Sequence, residues 1–138
     1  MPELQRATMN PPGVSPPQGL YSHVARIKAP ELVFIAGQVA LDASGNLVGP
    51  GDVGAQARQL FSNLGQILAS VGATFRNVVE FNVYLVGRSS IQPYIRARTE
   101  ILEGAFPDGD YPPSTLVVVD GLATEEYLVE IKAVAALA

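Results

Sequence analysis

An α+β fold, one mixed sheet with two helices on one of its faces, is what this sequence predicts, and three observations carry the prediction. Residues 53–71 and 94–105 place apolar side chains at helical spacing. Residues 20–27, 32–39, 78–86, 114–119 and 127–135 are shorter runs rich in β-branched and aromatic residues, which read as strands. Their order, β-β-(β)-α-β-α-β-β, shows no internal repeat and supplies too few helices to cover both faces of a sheet.

With 138 residues, 48% of them apolar, the chain is long enough for one domain whose core needs no covalent staple. Nine Lys and Arg against thirteen Asp and Glu leave a net charge of −4, and no basic cluster exceeds Arg96-Ala97-Arg98, so nucleic acid is not expected as a partner. Cysteine is absent, which removes disulfides, thiolate metal sites and Cys nucleophiles together. The single histidine, His23, cannot build a metal site alone, and neither a metal nor a cofactor is expected. There is no N-terminal apolar h-region and no apolar run near about 18 residues, so a cytoplasmic protein without membrane contact is the expectation.

Residues 1–19 hold Pro11, Pro12, Pro16 and Pro17 among small and polar residues, a composition that resists ladders and reads as an extended arm. The packed domain is expected over residues 20–138, beginning near Leu20. Runs 20–27 and 32–39 read as an antiparallel hairpin turning at Ala29-Pro30, where proline blocks continuation. Asp42 to Asn46 is turn chemistry, followed by a minor strand at Leu47-Val48.

Asp52 precedes the first helix, whose stripe is Val53, Ala57, Leu60, Leu64, Ile67, Leu68 and Val71, and Gly72 closes it. In the strand 78–86, Val79, Phe81, Val83 and Leu85 point to one side and Val78, Glu80, Asn82 and Tyr84 to the other. The second helix has Ser89 or Ser90 as its cap, Pro93 in its first turn and Tyr94, Ala97, Ile101, Leu102 and Ala105 inward, with Gly104 and Pro107 as stops. Runs 114–119 and 127–135 read as a final hairpin across Asp120 to Glu126. Several strands are apolar on both sides, so the sheet face without helices exposes apolar surface on a single copy, and a homo-oligomer follows.

Glu130 interrupts the last strand, Tyr127-Leu128-Val129-Glu130-Ile131-Lys132, and a carboxylate there costs several kcal/mol by order of magnitude unless it is paired or used. Two readings compete. Lys132, on the same strand face, could neutralise it in a structural ion pair. Alternatively, Glu130 is a desolvated acid of raised pKa that holds water and moves protons in a cleft.

Tyr21, Ile35-Ala36-Gly37-Gln38-Val39, the helix around Ala55-Gln56-Ala57-Arg58-Gln59, the strand through Tyr84, Pro112-Pro113-Ser114-Thr115 and Val129-Glu130-Ile131-Lys132-Ala133 together resemble the RidA/YjgF family, also called L-PSP endoribonucleases. The resemblance spans residues 20–135. It implies a chorismate-mutase-like subunit in a homotrimer, with a ligand cleft at each subunit interface and, in the best-known branch, hydrolysis of imines such as that from 2-aminoacrylate without metal or cofactor. Carried onto this chain, it makes Tyr21 a cleft wall, Gly37 and Gln38 part of a Ser-Gly-Gln turn whose first member is here Ala36, and Glu130 the acid that positions water.

One departure matters. Ser114 stands where the deaminating branch has an arginine that forks onto the substrate carboxylate, and Leu116 stands where Cys or a small polar residue is common. Each charge-assisted hydrogen bond of such a fork is worth roughly 1.5–3 kcal/mol, so its loss weakens amino-acid-derived ligands by about tenfold to a hundredfold or more. A standard 2-aminoacrylate deaminase is therefore not expected, unless Arg96 on the second helix replaces the missing group. The expectation is a small-molecule enzyme hydrolysing a reactive imine or enamine, with a non-catalytic trimeric metabolite-binding protein as alternative. Ribonuclease activity ranks last, because neither a basic groove nor a paired general acid and base is present. Tyr21 and His23 also have plain readings as packed or solvated strand residues.

Overall fold

The computed structural model describes residues 4–138; residues 1–3 of the expected arm lie outside the described residues. In chain order it has strands β1 (Gln5–Met9), β2 (Val24–Lys28) and β3 (Glu31–Gln38), helix α1 (Val53–Ser70), strand β4 (Val78–Val86), helix α2 (Ile91–Ala105), and strands β5 (Ser114–Val119) and β6 (Val129–Leu137). Four strands form the main sheet in the order β3-β6-β4-β5, and β1 with β2 forms a separate two-stranded ladder. The α+β class and the mixed sheet agree with the sequence.

Helix α1 starts where a side chain can satisfy its first free amide: Asp52 accepts from Ala55 N at 3.0 Å. Its Ala57, Leu60, Leu64 and Leu68 are fully buried against the main sheet, meeting Phe81, Val83, Leu85, Ile131, Ala133 and Ile35. Alternation does the rest. From Phe81 onward in β4, and along β6, odd-numbered residues point into this core and even-numbered ones to the face without helices. Val78, expected on the side of Glu80, is instead fully buried in the core, because the β4–β6 ladder slips between Val78 and Glu80. Helix α2 contributes Tyr94, Ala97 and Leu102 to the same core. Ser90 precedes it as expected, although its hydroxyl donates to Val86 O rather than capping the helix.

Three pairings differ from the sequence reading. Residues 114–119 and the last strand do not form a hairpin: β4 lies between them, parallel to β5 and antiparallel to β6. Strand β6 is apolar enough on its inner face to take two neighbours, and helix α2 supplies the crossover that a parallel pair needs. Residues 20–27 and 32–39 do not pair with each other either; β2 pairs with β1, and β3 with β6. Third, the arm contains a strand, because its prolines fall at 2 and at 11–17, outside Gln5–Met9, whose amides are free for a ladder. Arg6 ties this strand down, donating to Arg76 O and Asp110 O at 2.9 and 2.8 Å and lying over the Phe106 ring. The minor strand at Leu47-Val48 is reduced to a single bridge between Leu41 and Leu47.

The open face carries the expected apolar surface: Phe34 is 75% exposed and Leu32 50%, with Val117 at 40%. Such side chains on one face form an apolar patch on an otherwise well-packed sheet.

Candidate functional site

Glu130 lies on the open face of β6, beside Tyr84 of β4 in register. On its other side the β3–β6 ladder slips: Ile35 faces Ala133 and Gln38 faces Ile131, so Ala36 and Gly37 together oppose Lys132. This is a β-bulge, which bends one strand and re-aims its backbone. The bulge presses Gly37 against the acid. A Cβ built on Gly37 would sit 2.9 Å from Glu130 Cδ, and closer still to Oε2, so only glycine leaves the carboxylate its place. The ion pair weighed above is not formed; among the described residues the salt bridge present is Arg76–Asp108, and Glu130 is half-buried with no hydrogen bond to another side chain.

Gly37 and Gln38 also line a surface cavity of about 510 Å³ with Asp42, Gln59 and Asn63, which does not include Glu130. Gln38 folds back locally, Nε2 donating to Ala36 O at 3.1 Å.

Tyr21, Ser114 and Leu116 come together elsewhere, in a cavity of about 370 Å³ between β5, α2 and the segment before β2. Ser114 and Leu116 neighbour Phe81 and Val83 of β4, both buried, and so point to the helix side of the sheet. Tyr21 borders the cavity from that preceding segment, its hydroxyl accepting from Gln18 N at 3.1 Å. His23 does not line this cavity; it is held by a 2.7 Å bond between Nε2 and Ser15 O and by edge contact with Tyr21, a packing role.

Arg96 is not in this cavity. It is exposed and lines a shallower depression with Asp52, Arg58 and Glu100. The cation that reaches Tyr21 and Ser114 is Arg98, two residues further on, where the helix has turned by about 200°. The sequence held a signal for it. Arg98 falls four residues after the buried Tyr94 and one after Ala97, a charge on the inward stripe. Burial pushes the Tyr94 phenol up from its ordinary pKa, and the nearby Arg98 charge pulls the other way, so the hydroxyl is protonated.

Within one chain, therefore, the acid and the Ser114 cavity are apart. Glu130 is on the open face of β6; Ser114 is on the helix face of β5, two strand positions away, or about 10 Å across the sheet. Among the described residues no group of three or more His, Asp or Glu side chains is placed to hold a metal ion, and no helix is long and apolar enough to cross a membrane.

Comparison with known proteins fits this architecture. The family model for Endoribonuclease L-PSP matches residues 13–137. A RutC family protein of Synechocystis is 33% identical over 88% of each chain, and a 2-iminobutanoate/2-iminopropanoate deaminase of Mus musculus is 33% identical over 64% of each. Among solved structures, a Rid-family protein of unknown function from Yersinia pestis superimposes with a TM-score of 0.83 at 36% identity, covering 96% of this chain and 98% of that one. The chain belongs to the L-PSP endoribonuclease family, the RidA/YjgF group that its motifs resemble.

Proposed function

We propose that this protein hydrolyses the C=N bond of a small reactive imine, or of the enamine that tautomerises to it, at clefts between the subunits of a homotrimer. The observation that carries the reading is the Glu130 carboxylate, seated against Gly37 on the open sheet face with no side-chain partner. A half-buried acid in that position is suited to hold a water and take its proton. Water adds to the imine carbon while the π pair moves to nitrogen, and Glu130 accepts the proton. The protonated Glu130 returns it to nitrogen, giving a carbinolamine; the carboxylate then takes the carbinol O–H proton and passes it to nitrogen, the C–N bond breaks, and ammonia leaves as the carbonyl forms. One water is consumed and one ammonia released.

The trimer supports the mechanism physically. The exposed Phe34, Leu32 and Val117 lie on the same open face as Glu130, so a second copy docking there would enclose the acid. The second copy would also bring its own Tyr21, Ser114 and Leu116 cavity, joining two half-sites that one chain keeps apart. Relatives named 2-iminobutanoate/2-iminopropanoate deaminase support the kind of reaction. Ser114 cannot fork onto a carboxylate as the deaminating branch's arginine does, which sets this chain apart from a standard 2-aminoacrylate deaminase.

The test is to generate imines enzymatically in the presence of the protein and follow ammonia release or semicarbazone trapping. Wild type should accelerate hydrolysis, and Glu130→Ala should lower the rate by about a hundredfold or more. Equal rates for the two would remove Glu130 from the mechanism. Ligand-dependent thermal stabilisation with no turnover by wild type would mark a metabolite-binding protein instead.

A further inference from the structure

Arg98 makes no side-chain hydrogen bond or ion pair among the described residues. It projects from α2 into the cavity that holds Tyr21 and Ser114, and its Nε is buried without a hydrogen-bond partner among the described residues. No described carboxylate pairs with it, since the one ion pair among the described residues is Arg76–Asp108. Gly19 backs the guanidinium closely: a Cβ there would lie 3.2 Å from Nη2, so the segment before β2 is fitted around the side chain. A buried guanidinium N–H left unmade is costly, and natural cores keep such groups for a ligand or a partner. The cavity's other polar side chains, those of Gln18, Tyr21, Tyr94, Ser114 and Thr115, are neutral.

We propose that Arg98 is the anion-binding, specificity-determining residue of the site, and that the ligand is a small imine bearing a carboxylate held from the helix side rather than from the first residue of β5. The inference rests on the imine-hydrolase reading for the identity of the rest of the ligand, but the anion site is a property of the cavity alone. Ser114, by its small size, leaves the space through which a carboxylate reaches Arg98. The planar fork suits two carboxylate oxygens, which a lysine at the same place would meet only as a point charge.

The test uses two stable probes on the full chain, 2-oxobutanoate and its neutral amide, with affinities from calorimetry. Wild type should bind the anion at least about tenfold more tightly than the amide. Arg98→Met should abolish that preference, Arg98→Lys should keep part of it, and Arg96→Met should leave it intact. In wild type, whatever the folding of the variants, the Arg98 Nε–H resonance should shift on adding 2-oxobutanoate and not on adding the amide. Equal binding of the two probes, no binding of either, or a preference that survives in folded Arg98→Met would overturn the proposal. Failure of the hydrolase reading looks different: Glu130→Ala and wild type would then share the same absent turnover while the anion preference still followed Arg98. Conversely, full imine turnover by Arg98→Met would overturn the anion site and leave the hydrolase standing.

Discussion

Gly37 and Glu130 are in contact through the absence of a side chain: the bulged backbone of β3 occupies the space where any Cβ would meet the carboxyl group of β6. Because Gly37 does not need a positive φ, alanine fits its backbone, and the clash falls on the mobile end of Glu130. Gly37→Ala should therefore leave thermal stability within about 1 kcal/mol of wild type. Imine hydrolysis should nevertheless fall by about tenfold to a hundredfold, since the acid is displaced by roughly an ångström. Paired melting curves and ammonia-release rates check this; a large drop in Tm with unchanged activity would place Gly37 in a purely structural role.

Gln56 is a second residue whose role is fixed by position. Fully buried in α1, it donates to Gly49 O and Glu126 O, each at 3.1 Å, and accepts from Leu128 N at 3.0 Å. It thereby fastens the approach to β6, and hence to Glu130, onto the helix layer. Gln56→Met keeps most of the volume and removes all three bonds, stranding buried backbone groups. A loss of about 2–4 kcal/mol is expected, read from urea midpoints.

Acid sensitivity should involve Asp108, whose carboxyl is held below the usual range chiefly by its hydrogen bonds from Arg76, at 2.9 and 3.3 Å. A lowered folded pKa means stability that is present above the ordinary carboxylate pKa and lost as pH falls through the lowered value. Wild type should thus be more stable than Asp108→Asn at neutral pH, with the gap closing as pH drops below the ordinary carboxylate range. The pair is solvent-exposed, so the gap is small and should shrink in high salt. Unfolding curves across pH for both proteins measure it.

Phe34 should anchor the interface between copies. At 75% exposure on the open face it contributes little to the single chain's core. Phe34→Glu should leave the subunit folded by circular dichroism and convert a trimer to monomers in sedimentation velocity, with hydrolysis lost in parallel.

Local features of the fold were legible in the sequence. The Asp52 cap, the α1 stripe and the bounds of β4 follow from chemistry within a few residues of each position. Pairing was not legible in the same way. Apolar runs at 114–119 and 127–135 announce strands, but nothing in either says that β4 will come between them, because neighbour choice is settled by long-range packing on α1 and α2. The prolines at 11–17 obscured the strand just before them. At the site, Gly37 and Glu130 were each visible as candidates, whereas their contact depends on a bulge that no local pattern signals. Arg98 was overlooked beside Arg96 although only Arg98 falls on the inward stripe, and helical phase separates the two.

The most direct measurement is complementation between two inactive variants. Glu130→Ala removes the acid from the open face, and Ser114→Glu blocks the cavity on the helix face with a like charge for an anionic ligand. If each cleft joins the acid of one copy to the cavity of the next, trimers reassembled from an equal mixture should regain about a quarter of wild-type hydrolysis, since about one interface in four then unites two intact halves. No recovery from mixed trimers, with each variant folded and trimeric, would contradict a site shared between copies.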